Sequence, residues 1–243
     1  MGSGGLTQRY YFRPVTFRYL FFDIDDTLLN HRKAERAALR YARQALVPLQ
    51  NVSLRQLWDT YGRINRDLWD HYGRGDITRQ DLQHLRFNLT LIELGIPTTV
   101  QEAVSTRYMS QYRKSWSWMP GAKDFLDWAY RQRPLGFLTN GFTEVQHAKA
   151  EAFGLRAYSE VYVISEEVGC MKPSACIFRH ATERAGVDPG DILYVGDSYH
   201  SDIMGAKSFG WKTAWYTTDG NDTGGVADLK VATFAELRGR LNG

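Results

Sequence analysis

Two kinds of hydrophobic pattern divide the chain. Residues 17–22 (FRYLFF) are mostly apolar and aromatic, and the run stops at an acidic segment, Asp23, Asp25 and Asp26. A short apolar run of this kind reads as a buried strand. Four more follow much later, at 135–138, 161–164, 192–195 and 213–217. Stretches of helical character lie between them, at 143–153, 174–185 and 199–209. Strands alternating with helices of this length predict βαβ units and a parallel sheet. Such sheets are covered on both faces, so their strands are apolar throughout rather than alternating.

The stretch 29–119 carries no convincing strand. Its apolar residues fall at helical spacing: Leu54, Leu57, Trp58 and Tyr61, then Ile64, Leu68 and Trp69. A further helix opens at Ile77-Thr78, with Leu82, Leu85, Phe87 and Leu91 behind it. Breaks at 73–76 and 95–97 separate the helices. The pattern therefore predicts an α/β fold: a Rossmann-like parallel sheet core, residues 1–28 and 120–243, with an all-helical cap, residues 29–119, inserted after the first strand. Pro120-Gly121 marks the return to the core.

Composition narrows the class. Of the 243 residues, 43% are hydrophobic and 23% charged, values that exclude disordered, collagen-like and coiled-coil chains. The net charge of +3 comes from scattered Lys and Arg, so a nucleic-acid surface is not expected. No apolar stretch approaches a membrane span. No apolar segment follows the Gly/Ser-rich start, and a cytoplasmic protein is expected. Cys170 and Cys176 are too few for a disulfide framework and form no CxxC pair, so reduced thiols are expected. The triplets at Asn51, Asn88 and Asn221 read as chance rather than glycan sites. No histidine pair has metal-ligand spacing. A monomer or homodimer fits this composition.

In open α/β sheets, ligands bind beyond the carboxyl ends of the strands. The unusual polar residues gather there. Asp23 and Asp25 follow the first strand, Thr139, Asn140 and Gly141 the second, Lys172 the third, and Asp197, Ser198 and Asp202 the fourth. Converging carboxylates repel one another, and a hard divalent cation relieves that repulsion; Mg²⁺ commonly does so alongside a substrate phosphate. Lys172, the Thr139 hydroxyl and backbone N–H groups after it suit a phosphoryl group. Asp23 and Asp25 lie two apart, so one can attack phosphorus while the other reaches the leaving oxygen.

These residues match a known family. Asp23-Ile24-Asp25-Asp26-Thr27 resembles the first motif of the haloacid dehalogenase superfamily, Thr139-Asn140-Gly141 its second, Lys172-Pro173 its third, and Gly196-Asp197-Ser198 with Asp202 its fourth. The resemblance implies that Asp23 is the nucleophile and a magnesium ligand. It implies that Asp25 is the general acid/base and binds the metal through its backbone carbonyl. Thr139 and Lys172 then hold the phosphate with Asn140 and Gly141, while Asp197 and Asp202 complete the metal site. Dehalogenases of the superfamily lack the second acid, so Asp25 implies phosphoryl transfer. Asp26 is expected to be structural, Glu166 and Glu167 loop braces, and His200 a bystander.

The cap resembles that of the YjjG-like pyrimidine 5′-nucleotidases through Asn65, Leu68-Trp69, Gly75-Asp76-Ile77-Thr78 and Arg86-Phe87. Residues 139–143 (TNGFT) and 163–169 (VISEEVG) also resemble that branch. This implies a nucleoside monophosphate substrate, with Trp69 as a base contact. Phe142 is either a second leaving-group contact or packing beneath the cap. Trp58 and Tyr72 are expected in the cap core, Arg86 at the surface or in a bridge, and Trp116 and Trp118 against the hinge. The alternatives are a phosphatase for a small sugar phosphate or phosphoglycolate, a mutase, and a noncatalytic binding protein of the same fold. The last would have lost Asp23, Asp25, Lys172 or Asp197, and all four are present.

Overall fold

Each strand expected from an apolar run forms, within two residues of its expected ends, in the computed structural model. The structure describes residues 15–218 and 225–242. The strands are β1 (Tyr19–Phe22), β2 (Leu135–Thr139), β3 (Tyr162–Ile164), β4 (Ile192–Gly196) and β5 (Lys212–Tyr216). A sixth, β6 (Leu229–Val231), was not expected; its three residues have an exposed lysine at the centre, too little to leave an apolar run. The sheet order is β3-β2-β1-β4-β5-β6, and every pair is parallel.

Side chains alternate across this sheet because successive strand residues point to opposite faces. Leu20, Phe22, Phe137 and Val195 pack on one face with Phe125 and Leu126. Tyr19, Phe21, Leu138 and Tyr194 pack on the other with Ile177, Phe178 and Trp211. Both faces are covered, so the continuous apolar strands follow directly.

Between β1 and β2 the chain is helical. Helices α1 (His31–Ala45), α2 (Val47–Gln50), α3 (Leu54–Arg74), α4 (Arg79–Glu93) and α5 (Gln101–Lys114) form the cap. Its own apolar cluster contains Leu57, Tyr61, Leu82, Phe87 and Tyr108, with Trp58, Trp69 and Tyr72 packed against it. Ser53 and Gln56 close a capping box on α3, and Thr78 and Asp81 close one on α4. Gly75 ends α3 at φ 78°, a left-handed position that favours glycine. The segment Gly75-Asp76-Ile77-Thr78 is thus a helix stop followed by a helix start.

The core helices are α6 (Ala122–Tyr130), α7 (Thr143–Ala152), α8 (Ser165–Val168), α9 (Ala175–Ala185), α10 (Gly205–Phe209) and α11 (Phe234–Asn242). The helix expected over 199–209 is divided: Tyr199–Met204 forms a π-helical turn before α10 begins. Ser198 N–H donates to Asp202 Oδ2 at 3.0 Å, and Asp202 N–H donates to Ser198 O at 3.0 Å. The wide turn carries Asp202 inward, where it is 1% exposed.

Two expectations fail. Cys170 and Cys176 are joined in a disulfide, because the chain turns around Lys172-Pro173 and brings their Cα atoms to 6.3 Å. The Lys172–Pro173 peptide is cis. Arg86 is neither at the surface nor, among the described residues, in an ion pair; it is 9% exposed, against the rings of Phe87 and Tyr108. Asn221 lies outside the described residues. Among the described residues no helix is long and apolar enough to cross a membrane.

Candidate active site

Strand β1 stops at Phe22 and is flanked by β2 and β4, both parallel to it. The residues that follow these strands therefore share one edge, at the place where chain connections diverge to either side of β1. Asp23 N–H still donates to Val195 O at 2.9 Å, which fixes the first turn after the strand. Asp26 continues that turn at φ 62°, and its carboxylate accepts the Arg32 N–H at 2.9 Å. The expectation that Asp26 is a structural residue agrees with this geometry.

Lys172 organises the centre. Its ammonium donates to Asp23 Oδ1 at 2.7 Å and to Tyr194 Oη at 2.7 Å, and lies 2.7 Å from Asp202 Oδ1. It is 4% exposed, so these are charge-assisted contacts in a site that excludes water. Asn140 locks the loop: its side chain donates to Lys172 O and accepts from Lys172 N–H, both at 2.9 Å. Gly141 N–H is likewise engaged, donating to Ser165 Oγ at 3.1 Å. Thr139 is fully buried at the end of β2.

A cluster of carboxylates completes this half. Asp23, Asp197 and Asp202 each place an oxygen within 4.8 Å of the others. Burial pushes the Asp23 carboxyl up to about 7, against the pull of the Lys172 ammonium, and Asp202 pushes it further the same way. Asp197 is driven well above the usual carboxylate range by burial first, then by Asp23 and Asp202. A hard cation relieves that repulsion, and an all-oxygen donor set of three carboxylates fits Mg²⁺. Gly196 makes room for the arrangement, since a Cβ there would collide with the Asp202 carboxylate.

Asp25 sits in a different environment. Its carboxylate accepts two hydrogen bonds from Lys149 Nζ, at 2.6 and 2.7 Å, and one from Gln146 Nε2 at 2.9 Å. Burial raises its proton affinity, but Lys149, then His31, outweigh burial and hold the carboxyl below its usual range. Lys149 is 1% exposed, with its ammonium 5.4 Å from the Tyr112 ring centre and 5.7 Å from that of Trp116. Gly141 lets Gln146 approach: a Cβ there would lie 2.5 Å from Gln146 Nε2. Sequence reasoning missed Gln146 and Lys149. The available signal was a pair of polar residues three apart on the inward face of α7.

Above these groups lies a cavity of about 1060 Å³, walled by cap and core together. Asp25, Asn140, Gly141, Phe142, Trp69 and Lys172 all line it. Trp69 and Phe142 are brought together from the two regions, with ring centres 5.0 Å apart. Phe142 packs into the cap cluster, the packing role expected of it, and also lines the cavity. His200 also faces the cavity. Deeper in the cap, His31 Nδ1 is 2.8 Å from Tyr112 Oη and its Nε2 3.4 Å from Glu35 Oε1, while Tyr108 Oη donates to Glu35 at 3.0 Å. Burial would deprotonate His31, yet Glu35 and then Asp25 hold it up to about 9, so it is a cation at neutral pH.

Comparison with known proteins agrees with this geometry. The profile of the family described as haloacid dehalogenase-like hydrolase matches residues 17–210. The chain is 34% identical over 202 residues to the pyrimidine 5′-nucleotidase YjjG of Escherichia coli, covering 81% of this chain and 84% of that protein. It is 30% identical over 206 residues to the pyrimidine 5′-nucleotidase PynA of Streptococcus pneumoniae, covering 82% and 84%. Among solved structures, the HAD hydrolase YfnB of Bacillus subtilis bound to magnesium superposes with a TM-score of 0.79 at 27% identity, covering 94% of this chain and 100% of that one. With its strand-end motifs, its cap and a profile match over most of its length, the chain belongs to the haloacid dehalogenase-like hydrolase family.

Proposed function

We propose that this phosphatase hydrolyses nucleoside 5′-monophosphates, with pyrimidine nucleotides preferred, through an aspartyl-phosphate on Asp23. One observation supports the chemistry above others: Asp23 lies against Lys172, and Asp25 stands two residues on, oriented by Gln146 and Lys149. The substrate class rests on the 34% identity to a pyrimidine 5′-nucleotidase over 202 residues.

In the first displacement an Asp23 oxygen bonds to phosphorus as the phosphorus–oxygen bond to the nucleoside breaks. Lys172 and the Thr139 hydroxyl hold the phosphoryl oxygens. Asp25 gives its proton to the departing 5′-oxygen. In the second, Asp25 takes a proton from water as the water oxygen bonds to phosphorus, which releases phosphate and restores Asp23. Lys149 holds Asp25 ionised, the form needed for the second displacement. The negative charge of an arriving phosphate opposes Lys149 and raises the proton affinity of Asp25 for the first. Asp23, Asp197, Asp202 and the backbone carbonyl of Asp25 would hold a magnesium ion, which would supply charge neutralisation for the carboxylates and the phosphate.

The links between cap and core run side by side. Met119 N–H donates to Leu28 O at 2.8 Å and Asn30 N–H to Ser117 O at 2.9 Å. We place the domain boundaries here, at 29 and 119, with Trp116 and Trp118 packed beside the hinge.

The test is a Mg²⁺-dependent phosphate-release screen over nucleoside monophosphates, sugar phosphates and phosphoglycolate. Preference for UMP, dUMP or dTMP is expected. Preference for a sugar phosphate or phosphoglycolate keeps the Asp23 chemistry and overturns the nucleotide assignment. No turnover of any ester, p-nitrophenyl phosphate included, overturns both.

A further inference from the structure

Most buried polar side chains in a folded protein are hydrogen-bonded, because leaving one unpaired costs free energy. Among the described residues five buried polar atoms in the cap have no partner, and three of them lie on the packed helices α3 and α4: Arg86 Nε, Asn65 Oδ1 and the Tyr61 hydroxyl. Arg86 is the sharpest case. Its permanent charge is buried against two aromatic rings, and its Nη2 meets the Met109 sulfur, at 3.7 Å. The nearby carboxylate, Glu35, is occupied by His31 and Tyr108. A buried cation without a hydrogen-bonded counterpart is expensive unless a partner arrives from outside.

Access exists, because Asn65 and Arg86 both line the cavity that contains Asp25 and Lys172. Tyr61, Asn65 and Trp69 are spaced four apart on α3 and share one helix face. The Tyr61 hydroxyl is close enough to Arg86 to feel its charge. Asn65 therefore sits between the Arg86 guanidinium and the aromatic pair Trp69–Phe142. We infer that Asn65 and Arg86 form the recognition end of the cavity and bind the carbonyl-bearing edge of the leaving group, while Trp69 and Phe142 flank its plane. A guanidinium only donates, so it selects an acceptor such as a ring carbonyl. The amide oxygen of Asn65 accepts, so it takes a ring N–H beside that carbonyl.

The inference rests on the nucleotide reading above and assigns the residues that would enforce it. The experiment compares kcat/KM for UMP with that for ribose 5-phosphate, which has the same phosphoester and sugar and no base. In Arg86→Met the ratio of UMP to ribose 5-phosphate is expected to fall roughly 30-fold, the usual worth of a hydrogen bond to a charged group. Arg86→Lys should recover part of it. Asn65→Ala, which leaves the buried charge in place, should lower the same ratio about fivefold and serves where Arg86→Met fails to fold. A ratio unchanged in a folded Arg86 or Asn65 variant, with both substrates falling together or neither falling, overturns the recognition role alone. A wild-type enzyme that does not distinguish UMP from ribose 5-phosphate overturns the nucleotide reading and this inference with it.

Discussion

The core half and the cap half of the cavity are built on opposite principles. On the core side the buried charges are paired, Lys172 with Asp23 and Asp202 and Lys149 with Asp25, and Gln146 Oε1 is the buried side-chain atom left unpaired among the described residues. On the cap side Arg86, Asn65 and Tyr61 are buried with polar atoms unpaired among the described residues, an uncompensated charge included. The core groups hang from strand ends or from the helical turns just behind them, and their partners hold them ready before any ligand arrives. This suits transition-state chemistry, where preorganised charge is worth most. The cap groups are helix-borne and unsatisfied, which suits discrimination, since the correct leaving group repairs what a wrong one leaves unpaired. Substitutions on the core side should therefore act on every ester alike, and those at the cap end on the choice among esters.

The largest effect expected is from Asp23→Asn. It removes the proposed nucleophile and should lower turnover of all esters at least about 10⁴-fold. The amide is nearly isosteric, so the melting temperature should change little. Wild-type-like rates in a folded Asp23→Asn variant would sink the nucleophile assignment.

Next comes Lys149→Met, on the border of the two halves. It frees the buried Asp25 carboxylate from its cation and leaves Gln146 as its remaining donor. Turnover should fall about 100-fold for nucleotides and p-nitrophenyl phosphate alike, within the range of general acid–base catalysis. The pH profile makes the test specific. Lys149 holds the Asp25 carboxyl low, so its loss raises that proton affinity, and the acidic limb of the profile should move to higher pH. An unmoved limb would show that Lys149 only packs there.

The core half was also the more legible half in the sequence. Asp23, Thr139, Lys172 and Asp197 follow short apolar strands, and strand order forces such residues together whatever the side chains between them. Asp202 was legible as a residue but not as a shape, because the π-helical turn that carries it inward has no periodic signature. Gln146 and Lys149 stayed hidden: a buried lysine on a helix reads as a solvated one until its partner 124 positions away is known. Arg86 was read as a surface or bridging group for the same reason. Its burial depends on how α4 meets α3 and α5, a tertiary fact that helical spacing does not carry. The cysteines failed differently, since the turn around Lys172-Pro173, rather than a spacing rule, pairs them.

A third experiment reads the cap interior through stability. His31 is held up to about 9, above its unfolded value near 6.5, by its pairing with Glu35 and Asp25. A raised folded value stabilises the protein fully below about pH 6.5, and that contribution disappears as pH rises through about 9. The side chain is 29% exposed, which trims the gain to on the order of 2 kcal/mol. His31→Gln should therefore be less stable than wild type at pH 6, with the gap closing between pH 6.5 and 9.5 in urea titrations. A gap that is constant with pH would mean that the histidine acts by packing alone.

The smallest effect expected concerns the contact between the halves. Arg79, the first residue of α4, pairs with Glu144 on α7 and with Glu166 on α8 at 3.1 Å, and its guanidinium lies 4.6 Å from the Phe142 ring centre. Glu166 also accepts the Thr143 N–H at 2.6 Å, so it braces the core loop while gripping the cap. Arg79 is 37% exposed, and exposed pairs contribute up to about 1 kcal/mol. Arg79→Ala should thus weaken cap closure modestly and raise KM two- to fivefold, as that energy converts, for nucleotides and ribose 5-phosphate together. It should leave the ratio between them unchanged, because the Arg86 end of the cavity is untouched. If closing also retards product release, kcat should hold or rise slightly. Salt offers an independent check, since 0.5 M NaCl screens exposed pairs and should bring the wild-type KM toward that of Arg79→Ala. A KM insensitive to both would assign closure to the apolar contact of Trp69 and Phe142, which salt does not weaken.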